Sequence, residues 1–195
     1  MGRAWSTPAE HRYVAHAFWI FGYHKLRHLV ILDANLDMVG VFTQTDLLLS
    51  IEEKAFAGIG KVSDLMSSHV LHISPEAPAR YALSLMARRS VSCIVVVEDG
   101  RPVGMFTERD VVRTVARGVD LSTVAVGSVM SPSVFSTPVT TTPYETIGLM
   151  LKKSIRRLLV VDDTGEMTGI LTQTDVGRVL DRQDPDLVSR LLGNG

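Results

Sequence analysis

Gly104-Met105-Phe106-Thr107-Glu108-Arg109-Asp110 sets the reading of this chain, because the pattern occurs three times. The other copies are Gly40-Val41-Phe42-Thr43-Gln44-Thr45-Asp46 and Gly169-Ile170-Leu171-Thr172-Gln173-Thr174-Asp175. Each is a glycine, two apolar residues, a threonine, two variable residues and an aspartate. The aspartates stand 64 and 65 residues apart. A fixed period of this length marks a repeat architecture.

Working outward, an apolar run precedes each glycine: residues 29–32, 94–97 and 158–161. Between run and glycine lies a turn-prone segment: Asp33-Ala34-Asn35, Glu98-Asp99-Gly100 and Asp162-Asp163-Thr164-Gly165. Apolar run, turn, apolar run predicts a β-hairpin. Upstream, residues 13–22, 79–88 and 144–153 carry apolar side chains at spacings of three and four, which predicts amphipathic helices. Copies two and three open with related phrases, Val62-Ser63-Asp64-Leu65-Met66 and Val126-Gly127-Ser128-Val129-Met130. Each phrase leads into a short β-prone run around Ser74-Pro75 or Thr137-Pro138, and closing helices begin near Val111 and Val176. The predicted fold is therefore α/β, with each repeat reading strand, helix, strand, strand, helix. A unit of about 60 residues buries little surface alone, so two repeats are expected to pack as a pseudo-symmetric pair.

The composition narrows the function classes. The chain has 195 residues, with 20 Lys and Arg against 21 Asp and Glu, for a net charge of −1. A nucleic-acid backbone as main partner calls for a basic excess, so that class is disfavoured. A single cysteine, Cys93, leaves no disulfide framework and no multi-cysteine metal site. No apolar run is long enough to span a bilayer, and the N-terminus lacks the layout of a secretory signal. Residues 1–6 fit an N-myristoylation pattern, but one loose enough to match by chance. The expected location is the cytoplasm.

Taken in order, Val-x-x-x-Met, a Ser/Thr-Pro segment, a helix, an apolar strand, an Asp/Gly turn and Gly-x-x-Thr-x-x-Asp resemble the CBS (cystathionine β-synthase) repeat, two of which form a Bateman module. On this resemblance, residues 62–125 and 126–182 are two full repeats forming one module. Residues 6–57 are a partial repeat without its opening phrase, and 183–195 are a C-terminal tail. The partial repeat either belongs to a four-repeat protein or pairs with another subunit.

The recurring threonine and aspartate have a local chemistry of their own. A hydroxyl followed three residues later by a carboxylate forms a capping box at a helix start. The helix N-terminus behind it favours a phosphate, and a carboxylate can accept both hydroxyls of a ribose. The resemblance implies that Asp46, Asp110 and Asp175 hold ribose. Thr43, Thr107 and Thr172 would then lie near phosphate, with Arg109 and Thr174 as further phosphate candidates. The alternative is that the capping box only builds the helix. Basic residues precede the central strands: Lys152, Lys153, Arg156 and Arg157, and in copy one His24, Lys25, Arg27 and His28. Arg156 and Arg157, at the strand entry, are read as ligand contacts, because guanidinium forks suit phosphate. Lys152 and Lys153 are read as complements to a helix C-terminus. Val70, Ile73 and Ile94 could wall an adenine or simply belong to the core. His24 and His28 have no third ligand in pattern, so no metal is expected.

No nucleophile motif, phosphate loop or paired catalytic carboxylates are present, so the chain is expected to regulate rather than catalyse. The resemblance implies a sensor of AMP, ADP, ATP or S-adenosylmethionine, with no obligatory cofactor. It would form a homodimer through its repeats and pass a conformational change to a partner or a fused effector domain. A non-binding oligomerisation scaffold and a regulatory fragment of a larger enzyme remain the alternatives.

Overall fold

The computed structural model describes residues 28–49, 53–56 and 60–176, together with Ala17, Ile20, Phe21, His24 and Leu26. Of the helix predicted over residues 13–22, Ala17, Ile20 and Phe21 are described, and all three are helical. The tail 183–195 and the closing helix beyond Val176 lie outside the described residues.

Each predicted hairpin forms. In the second copy, β4 (Cys93–Glu98) pairs antiparallel with β5 (Arg101–Thr107). The turn residues Asp99 and Gly100 have φ of 48° and 76°. Two residues with positive φ give a turn whose twist matches that of the strands it joins. In the first copy β1 (His28–Leu32) pairs antiparallel with β2 (Met38–Thr43) as a two-stranded sheet. In the other two copies a short parallel strand joins the hairpin. β3 (His72–Ile73) lies beside β4, and β6 (Ser136–Pro138) beside β7 (Arg157–Val161), which neighbours β8 (Met167–Thr172).

The helices follow their signals. α1 (Gln44–Leu49) comes after β2, and α2 (Ala79–Arg89) ends at Ser90, which adopts the left-handed conformation with φ 52°. α3 (Glu108–Ala116) starts directly from β5, three residues earlier than predicted, because the capping box places Glu108 in the first turn. α4 (Val126–Val129) is a single turn. α5 (Pro143–Lys152) is capped by Thr142 and Glu145, with proline in its first turn, where a missing N–H costs nothing.

Strand β4 is buried on both faces, which is why it reads as an unbroken apolar run rather than an alternating one. Ile94 and Val96 face α2, meeting Ala79, Ala82 and Met86 along with Phe106, Leu121 and Val126. The intervening Val95 points the other way and, with Met105, packs on Leu159 of the third copy. The period-two geometry of a strand thus feeds one core against α2 and another against Leu159 of the third copy.

The opening phrases are exchanged. The Val126 N–H donates to the Ala77 carbonyl at 2.8 Å, and Ser131 and Met105 exchange two backbone bonds of 2.9 Å. Reciprocally, the Val62 N–H donates to the Thr141 carbonyl at 3.0 Å, and Ser67 and Ile170 exchange bonds of 2.9 and 3.0 Å. Each phrase therefore bonds to the repeat that it does not precede. The two compact units of the chain accordingly cut across the sequence boundaries. One comprises Met1–Met66, Thr140–Arg157 and Leu171–Gly195, and the other Ser67–Val139 and Leu158–Ile170.

Candidate functional site

The three Thr-x-x-Asp motifs fold alike because the chemistry is local. Each threonine ends a strand in a hairpin, and its aspartate sits in the first turn of the helical segment that follows. In the second copy the Thr107 N–H and O–H both donate to Asp110 Oδ2, at 2.9 and 2.6 Å. The Asp110 N–H donates back to Thr107 Oγ1 at 3.4 Å. The corresponding distances are 2.8, 2.7 and 3.2 Å for Thr43 and Asp46. They are 2.9, 2.6 and 3.3 Å for Thr172 and Asp175. The capping-box reading holds in all three copies.

The surroundings of the aspartates differ. Asp46 is exposed and Asp175 half-buried, whereas the side chain of Asp110 is 1% exposed. Asp110 Oδ1 accepts a bond of 2.6 Å from an Arg113 guanidinium nitrogen and one of 2.8 Å from the Ser131 hydroxyl. The same arginine nitrogen donates to the Val129 carbonyl at 3.3 Å. Neither Arg113 nor Ser131 was among the candidate residues. The i,i+3 spacing of Asp110 and Arg113 was a readable signal. Ser131, 21 positions from its partner, carried none.

A second recurring bond ties each motif to its strand entry. The Gln173 N–H donates to the Arg156 carbonyl at 3.0 Å, and its side-chain amide to the Ile155 carbonyl at 3.4 Å. The Gln44 amide does the same to the Leu26 carbonyl at 3.1 Å, and the Glu108 N–H donates to the Ser92 carbonyl at 3.3 Å. The third copy therefore brings the backbone of Arg156, an exposed residue, to Gln173, where the second copy has a serine. Arg157 is the first residue of β7 and is half-buried. Arg109 and Thr174 fall in the first helical turn beside their aspartates, exposed and half-buried respectively.

Other candidates resolve to scaffold. Ile94 is fully buried, and Ile73 and Val70 pack around the two cores, so the adenine-wall reading gives way to the core one for Ile94. Lys152 lies in the last turn of α5 and Lys153 caps it, where positive charge complements the helix dipole. His24 is helical and His28 begins β1. Among the described residues no cluster of three or more His, Cys, Asp or Glu could hold a metal, and no helix is long and apolar enough to cross a membrane.

Residues 62–117 and 126–182, more than half of the chain, match the family model of the CBS domain. The protein MK0525 of Methanopyrus kandleri is 32% identical over 132 residues, covering 67% of this chain and 65% of that protein. The CBS domain-containing protein YhcV of Bacillus subtilis is 36% identical over 119 residues, covering 60% and 84%. Inosine-5'-monophosphate dehydrogenase of Thermoplasma acidophilum is 35% identical over 107 residues, but those cover only 21% of the enzyme. The chain thus spans less than two thirds of MK0525 and about a fifth of the dehydrogenase. Among solved structures, protein MJ1225 of Methanocaldococcus jannaschii matches with a TM-score of 0.68 at 20% identity, covering 84% of this chain and 63% of that one. PAE2072 of Pyrobaculum aerophilum, solved with AMP, has a TM-score of 0.55 at 25% identity, with coverages of 59% and 88%. The domain pair of MJ0100, solved with 5'-methylthioadenosine and S-adenosylmethionine, has a TM-score of 0.58 at 20% identity, with coverages of 64% and 98%.

Proposed function

The chain belongs to the CBS-domain family, and from that premise we propose that it is a regulatory module that senses an adenine nucleotide or adenosyl compound. The candidate ligands are AMP, ADP, ATP and S-adenosylmethionine. The third copy is the primary site: Asp175 takes the ribose, Thr172 and Thr174 lie at the phosphate, and Arg156 with Arg157 neutralises it. Thr43 and Asp46 form the corresponding position of the first copy. The observation that supports this reading is the bond from the Gln173 N–H to the Arg156 carbonyl, which brings the backbone of an exposed arginine to the start of the capping-box segment. The AMP complex of PAE2072, at 25% identity, supports the ligand class. Ligand binding would shift the population of two repeat arrangements, and an attached domain or partner would respond to that shift.

A second reading, the regulatory segment of a larger enzyme, is favoured by the dehydrogenase match, which covers a small part of that enzyme. It leaves the ligand class unchanged and alters only what receives the signal.

The test is thermal unfolding of the full chain with each candidate ligand. A ligand at about 100 times its Kd stabilises the fold by about 2.7 kcal/mol, a shift of several degrees for a chain of this size. Asp175→Ala should abolish most of that shift while the protein without ligand still unfolds cooperatively. Folded wild-type protein that responds to none of the four compounds would leave the scaffold reading in place.

A further inference from the structure

We propose that Ser131 and Arg113 close the second copy's aspartate to ribose, so that Asp110 serves as an anchor between repeats instead of a ligand contact. The proposal rests on the adenosyl-binding reading, since it states which copy is withheld from that ligand.

A carboxylate offers about four acceptor positions. At Asp110 four donors fill them: the Thr107 N–H and O–H on Oδ2, and the Arg113 guanidinium and Ser131 hydroxyl on Oδ1. Nothing is left for a ribose hydroxyl, and the side chain is 1% exposed. The Ser131 hydroxyl stands where an incoming ribose hydroxyl would donate, so it is a built-in competitor.

Ser131 is held there by its backbone. Its N–H and carbonyl both pair with Met105 at 2.9 Å. Gly104 makes room for the approach: a Cβ at that position would collide with Met130 Sδ and lie 2.9 Å from the Ser131 carbonyl oxygen. Arg113 adds a third tie through the Val129 carbonyl. Residues 129–131 are thereby fastened to β5 and α3 together. A ligand would have to break the charge-assisted bonds of a buried carboxylate.

The first copy lacks this arrangement. In the first copy Leu49 occupies the position of Arg113, and Asp46 is exposed, with no described group bonded to its Oδ1.

Calorimetric titration of the full chain with AMP and with S-adenosylmethionine tests the closure. Ser131→Ala should raise the number of ligands bound per chain by one, and Asp110→Asn added to it should return the number to the wild-type value. Arg113→Met, at a half-exposed position, provides a second opening variant should Ser131→Ala fold poorly. An unchanged stoichiometry in both folded opening variants overturns the proposal. So does a large loss of affinity in folded Asp110→Asn alone.

The anchor has a readout that needs no ligand. A urea double-mutant cycle of Asp110→Asn and Ser131→Ala should show coupling of about tenfold in the unfolding equilibrium, as a hydrogen bond to a charged group implies. Additive effects overturn the anchor. Coupling in a protein that binds neither compound supports the anchor and removes the adenosyl reading instead.

Discussion

A threonine hydroxyl does two things at each strand end: it caps the helix that follows and holds the aspartate carboxylate in place. Thr107→Ala should cost about 1 to 2 kcal/mol, the upper part of the range for a lost cap, because Asp110 also loses a donor in a buried site. Thr43→Ala, beside the exposed Asp46, should cost less; urea unfolding of the two variants checks the order. Similar side-chain caps set the acid response. The Thr142 N–H and hydroxyl hold the Glu145 carboxyl below its ordinary 4.5. The Ser74 hydroxyl does the same first for Glu76, the Thr164 hydroxyl for Asp162, and the Ser122 N–H for Asp120. A carboxylate lowered in the folded state gives stability that is present above its unfolded value and lost as pH falls through the folded one. Stability should therefore fall on acidification past the ordinary carboxylate values. Thr142→Val keeps the N–H and removes the hydroxyl, so it should lessen that fall by the hydroxyl's part of Glu145's share, which urea midpoints across the acid range would detect. At this scale the candidate site was legible, since a box closed over three residues depends only on its neighbours in sequence. The Ser131 contact was not, since 21 residues of intervening chain decide whether it forms.

Among elements, the glycine of the repeated pattern separates the copies. Gly104 lies where Met130 and Ser131 cross β5, and an added side chain would meet the Ser131 backbone. Around Gly40 nothing lies within 4 Å of an added Cβ. Gly104→Val should destabilise the chain by about 1 to 3 kcal/mol, as overpacking does, while Gly40→Ala should change stability by about 0.5 kcal/mol or less. Thermal melts of the two variants decide it, and equal effects would show that the crossing phrase does not need the notch. Hairpins, helices and turn residues were readable because each rests on local preference and apolar period. The exchange of Val62–Ser67 and Val126–Ser131 between repeats was not, since a short polar-flanked phrase bonds wherever a strand edge is presented to it.

For the whole molecule, the exposed face of the first hairpin sets an expectation about assembly. Val30 and Val41 are cross-strand partners and are 58% and 54% exposed. Val95 and Met105 occupy the same two places in the second copy, 1% and 6% exposed and packed on Leu159. A face that is covered in one pair and uncovered in the first copy is expected to associate, through a repeat of the same kind, in a second chain. Sedimentation velocity should show a dimer that weakens markedly in Val41→Asp. A wild-type monomer, or a dimer indifferent to that change, would remove this expectation. The sequence by itself determined the family, the α/β class, the hairpins and the three capping boxes. These arise from contacts a few residues apart, repeated often enough to be recognised. Only the tertiary structure decided which repeat receives each opening phrase, which strand face meets a helix and which meets another sheet, and that Asp110 is enclosed while Asp46 is not. Those outcomes depend on groups brought together by packing across tens of residues, and identical local motifs cannot distinguish their own surroundings.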